Sequence, residues 1–71
     1  MHNITLSEEI EKSILDLLRK ESRDLSIQEI AEKTRIHRNT VSKYVFALEK
    51  AGKIKSSRTV GRAKMYVIIR E

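Results

Sequence analysis

The strongest constraint on this chain is the stretch from Ser26 to Leu48, where two short helical patterns follow each other across a break of only a few residues. Ser26 with Glu29 three positions on makes a capping box, in which hydroxyl and carboxylate each accept an otherwise unpaired backbone N–H. Ile27, Ile30 and Ala31 then supply a buried stripe, so a helix is predicted over 27–34. The apolar pattern restarts at Val41, Tyr44, Val45 and Leu48, spaced i, i+3, i+4, i+7, which puts all four on one face of a second helix over 38–51. Asn39, Ser42, Lys43, Phe46 and Lys50 fall opposite. Arg38 projects from the tip of that helix, where free backbone N–H groups already favour an anion.

Before this stretch, Leu6, Ile10, Ile14, Leu17 and Leu18 form the apolar stripe of a first helix over 6–20, with Thr5 or Ser7 as its cap. Glu8, Glu9 and Glu11 lie in its first turn and Arg19 and Lys20 in its last, the signs that complement each end of the helix dipole. The polar run Glu21-Ser22-Arg23-Asp24 stops the pattern. Leu25 then stands alone between that run and the Ser26 cap. After the central stretch, Ala51-Gly52-Lys53 puts the residue best able to take a left-handed conformation just past the last apolar position, so the helix is expected to end at Gly52. From there the period changes. Residues 54–59 and 64–69 are enriched in β-branched and aromatic side chains and bracket Val60-Gly61-Arg62-Ala63, which predicts a β-hairpin. Ile54, Tyr66 and Ile68 are its candidates for closing over the helices.

The central stretch resembles the helix-turn-helix of winged-helix DNA-binding domains, with Ala31 in the first helix, Ile36 plugging the turn and Thr40-Val41 opening the recognition helix. The hairpin extends the resemblance from Leu6 to Ile69. It implies an α+β fold: a winged helix, with a three-helix helix-turn-helix core and a C-terminal β-hairpin wing, as a single domain over 1–71. Two positions depart from the family's habit. Arg35 stands where Gly often takes φ > 0, and His37 where a small hydroxyl cap is usual. A non-Gly residue in the left-handed region costs roughly 1–2 kcal/mol, tolerable where Ile36 is well buried.

Charge points to a partner of the same kind. The chain carries fifteen Lys plus Arg against ten Asp plus Glu, net +5. Residues 1–36 are net −2 and residues 37–71 net +7, so the positive field sits on the half holding the recognition helix and hairpin. With 71 residues, about 60–65% of the unfolded chain's surface is expected to be buried, a thin core. The absence of Cys excludes disulfides and thiolate metal sites, and His2 and His37 alone cannot assemble a zinc cluster. No apolar run reaches membrane-spanning length and no signal peptide is evident, which makes a cytoplasmic protein the default. Asn3-Ile4-Thr5 matches a glycosylation sequon that has no meaning without a secretory signal.

The candidate DNA-binding residues are His37, Arg38, Asn39, Thr40, Ser42 and Lys43 on the second helix of the motif, with Arg58, Arg62 and Lys64 on the hairpin. Arg38 and Asn39 have the shapes that bond bidentately to guanine and adenine edges, whereas Ser42 and Lys43 suit phosphate. Arg62 beside Gly61 is the choice for a phosphate or minor-groove contact. The hairpin cations also serve to discourage edge-to-edge sheet pairing. His37 reads as a phosphate neighbour or helix cap rather than a base or metal ligand. Phe46 stays open between a thymine methyl contact, cover for the wing and a dimer contact. Glu8, Glu9 and Glu11 are a helix-start cluster, not an acid/base pair.

The expected function is therefore sequence-preferring binding of double-stranded DNA, as a transcriptional regulator or its DNA-binding part. The alternative is a winged helix that binds protein inside a larger assembly, whose recognition face would be neutral or acidic. No nucleophile with a base, no paired carboxylates and no phosphate-cradling Gly loop supports an enzyme. No cofactor and no small-molecule ligand is implied. Monomer, weak homodimer and fragment of a longer regulator all stay open.

Overall fold

The computed structural model describes residues 8–70. Six elements follow in order: α1 Glu8–Lys20, β1 Leu25–Ser26, α2 Ile27–Thr34, α3 Arg38–Lys50, β2 Ile54–Val60 and β3 Ala63–Ile68. Thr5, Leu6 and Ser7, the expected start of the first helix, lie outside the described residues.

Local chemistry accounts for each boundary. Glu29 N–H donates to Ser26 Oγ at 3.2 Å and Ser26 N–H to Glu29 Oε1 at 3.0 Å, so both halves of the capping box form. The Ser26 backbone bond, reinforced by Arg23, holds the Glu29 carboxyl below its ordinary pKa. At the other end of α2, Arg35 takes φ 63° and ψ 26°, and its N–H donates to Ala31 O at 2.8 Å. The turn thus uses a left-handed residue without Gly, and half-buried Ile36 packs from it against the core. His37 caps α3, its Nδ1 accepting the Asn39 N–H at 3.1 Å.

α3 stops one residue earlier than the sequence suggested. Ala51 is the cap, Gly52 follows at φ 78°, Gly52 N–H donates to Glu49 O at 3.1 Å and Lys53 N–H to Leu48 O at 3.0 Å. That bond pair is a Schellman motif, whose geometry asks for the left-handed residue just outside the cap. The hairpin is also tighter than expected. β2 and β3 run to Val60 and from Ala63, leaving a two-residue loop with Gly61 at φ 63° in the first position, as a type II′ turn requires.

The sheet is antiparallel in the order β1-β3-β2, with Leu25 opposite Tyr66 and Ser26 opposite Met65. Two residues of β1 are enough to stitch the helical half to the hairpin. The core gathers Ile14, Leu15, Leu18, Leu25, Ile30, Val41, Tyr44, Val45, Leu48, Ile54 and Tyr66, with Ile10, Leu17, Ile27, Ala31, Ile36 and Ile68 packed at its edge. Leu15 was absent from the expected stripe of α1, and Leu17 from that stripe is only half-buried. The reason is tertiary: α1 packs against α2, α3 and β3 together, so its buried arc is wider than one stripe. Met65 is buried too, apart from the main core, because β3 is the central strand and Ser26 and Arg58 flank it on either side.

β2 carries a bulge between Ser56 and Arg58. There Asp24, from the loop before β1, accepts from Ser57 Oγ at 2.6 Å, from Arg58 Nε at 2.9 Å and from Arg58 Nη2 at 3.3 Å. A bulge turns two neighbouring side chains toward one side, and here both reach the same carboxylate. The Arg58 bond foremost, then the Ser57 hydroxyl, lowers the Asp24 pKa, while Asp24 raises that of Arg58.

Candidate nucleic-acid interface

An open groove of about 570 Å³ runs between three segments that are distant in sequence. Ser26, Ile27 and Gln28 from the start of α2 form its floor on one side, Arg38, Asn39 and Ser42 from α3 another, and Val60, Arg62, Ala63 and Lys64 from the hairpin tip the third. Two helix N-termini border it, each offering backbone N–H groups and the positive end of a dipole. No acidic residue lines it.

Five of the nine sequence-predicted site residues therefore meet at one place: Arg38, Asn39, Ser42, Arg62 and Lys64. Lys43 is exposed on the outer face of α3, one residue beyond Ser42, and Thr40 is half-buried toward the helix base. His37 is exposed at the cap. Nδ1 accepts only while it carries no hydrogen, which leaves Nε2–H as the ring's donor. Arg58 departs from the group. Its guanidinium is held by Asp24 beside the bulge in the middle of β2, so its charge is already matched within the chain.

Four further cations are ion-paired, whereas Lys12, Lys20, Arg35, Lys50, Lys55 and Arg70 form no ion pair among the described residues. Arg19, Arg23, Lys33 and Lys53 pair with Asp16, Glu29, Glu21 and Glu11 at 3.1, 3.0, 3.9 and 3.2 Å. Among the described residues, none of Arg38, Lys43, Arg62 and Lys64 has a carboxylate at ion-pair distance. The charges around the groove are uncompensated, and a field of one sign facing an open cleft is what attracts a polyanion.

Three features escaped the sequence reading. Gln28 enters the groove because α2 begins there, a position the capping box at Ser26 does signal. Val60, placed in the turn by the sequence but given no role, is an apolar residue 51% exposed at the hairpin tip. The Asp24 clasp on Ser57 and Arg58 had no local signal at all, since it joins residues more than thirty apart.

A family model described as winged helix-turn-helix DNA-binding matches residues 7–55, which include α1, α2, α3 and the start of the hairpin. The chain belongs to that family. Among curated proteins none matches the sequence. Two solved structures share the winged-helix fold over 96% of the chain, each at 20% identity: a chain from a structure of prokaryotic transcription factors, TM-score 0.77, and the ferric uptake regulator of Francisella tularensis with iron, TM-score 0.74. The chain spans 58% and 55% of their respective lengths, so the likeness concerns one winged-helix unit of each.

Proposed function

We propose that this winged helix binds double-stranded DNA with sequence preference and acts as a transcriptional regulator or as the DNA-binding part of one. The observation that carries the reading is the acid-free groove in which Arg38, Asn39 and Ser42 of α3 face Arg62 and Lys64 of the hairpin. α3 enters the major groove with Asn39 and Arg38 toward base edges. The sugar-phosphate backbone beside it runs through the cleft, met by Ser42, by Lys64 and by the two helix N-termini. Arg62 reaches along the flank. Lys43 and the His37 Nε2–H hold the phosphates on the other side of the helix, while Thr40 acts at the helix base and Arg58 keeps the hairpin in place through Asp24.

Selection of bound duplexes from a random pool tests this. A single enriched consensus is expected, with affinity for it well above that for scrambled duplex; recovery of no consensus together with salt-insensitive binding removes the reading. A protein-binding role finds less support, because the face in question is cationic and its exposed large apolar side chains, Phe46 and Val60, are set among those cations.

A further inference from the structure

Phe46 is 61% exposed, the most exposed large apolar side chain among the described residues. It sits four residues after Ser42 and seven after Asn39, hence on the outward face of α3 in line with both. The wing does not cover it at that exposure. Lys50 lies over the ring, its Nζ 5.0 Å from the ring centroid. That ammonium occupies one ring face and restrains the side chain, leaving the rest of the ring to a partner.

The charges around it select the partner. A second copy docked on this face by a two-fold axis brings the Lys43 and Lys50 of one copy against the cations of the other, and the single acid of α3, Glu49, is half-buried at its far end. A polyanion with an apolar group on its reading edge fits instead. In the major groove the only such group is the C5-methyl of thymine.

We infer that Phe46 is a specificity-determining residue that packs its ring on a thymine methyl, with Lys50 holding the ring and meeting the adjacent phosphate. The inference rests on the proposal that α3 reads the major groove. Seven residues along the helix are roughly 10 Å. At about 3.4 Å per base step, the thymine lies roughly three base pairs from the pair read by Asn39.

The test replaces each thymine of the selected site in turn by uracil, which deletes the methyl and nothing else, and measures affinity for the parent chain, Phe46→Ala and Phe46→Leu. One position is expected to be methyl-sensitive in the parent, by roughly three- to tenfold, the scale of burying one methyl group. Phe46→Ala should lose about the same factor on the thymine site and become indifferent to uracil at that position, while Phe46→Leu keeps part of the discrimination. A parent that binds its site with no methyl-sensitive position, a selected site with no thymine in that stretch, or methyl sensitivity that survives in Phe46→Ala overturns the inference and leaves DNA binding by α3 intact. Absence of binding to any duplex overturns both. Dissociation of a dimer by Phe46→Ala, with uracil discrimination unchanged, assigns the ring to self-association instead and likewise overturns it.

Discussion

Asn39 and Arg62 face each other across one groove yet are expected to act differently. The amide of Asn39 carries no charge and displaces no counterion, so Asn39→Ala should weaken the preferred site by about 1–3 kcal/mol and leave scrambled duplex nearly unaffected. Arg62→Ala should weaken all duplexes evenly and reduce the log–log salt slope by roughly one unit. Paired titrations of both variants on the two duplexes at several salt concentrations decide it. Equal losses on both duplexes for Asn39→Ala remove its role in reading bases, and an unchanged slope for Arg62→Ala removes the hairpin from the backbone. Asp24 gives a third residue-level expectation. Its folded pKa lies below the ordinary value of 3.8, so its contribution to stability is complete above that value and is lost as pH falls through the lower, folded one. Acid melts should therefore show Asp24→Asn to be less stable than the parent at neutral pH, with the gap closing as the parent's carboxylate is protonated. A constant gap down to strong acid excludes the ion pair as its cause.

Among the elements, α3 depends most on how it ends. Its Schellman motif sets the direction in which the chain leaves for β2, and Gly52 supplies the left-handed residue. A Cβ built at Gly52 meets nothing within 4 Å, so space is not the constraint there. The cost of Gly52→Val is backbone strain alone, about 1–2 kcal/mol, and a thermal melt should register it. A melt identical to the parent's shows that the helix finds another ending. Arg35 illustrates the converse. It holds φ 63° without being Gly, and Ile36 next to it is half-buried rather than well buried, so the turn bears this strain with less burial than the sequence suggested. The hairpin is fixed at two places. Its loop is set by Gly61, and the middle of β2 is tied to the loop before β1 by the Asp24 clasp on the bulge, a short way below Arg62 and Lys64.

At the scale of the molecule, the net −2 of residues 1–36 and net +7 of residues 37–71 become two territories. Acids on α1, α2 and the intervening loop pair with Arg19, Arg23, Lys33 and Lys53, while no acid lines the groove and Arg38, Arg62 and Lys64 have no ion pair among the described residues. Duplex affinity should accordingly fall steeply with salt, with four to six phosphates engaged and a log–log slope of roughly −4 to −5. A slope near zero in a salt titration removes the DNA role. The order of helices and hairpin, the capping box at Ser26, the apolar faces of α2 and α3 and the charge asymmetry were all legible in the sequence. Each depends on neighbours three or four residues apart, or on composition, and local spacing records such things directly. Leu15, Met65 and the Asp24 clasp were not legible, and neither was the meeting of Gln28, Asn39 and Arg62 around one cleft. Those depend on which surfaces pack together, on a bulge that shifts the register of β2 and on contacts across more than thirty residues. Only the closed tertiary structure brings such groups within the few ångströms over which packing and hydrogen bonding act.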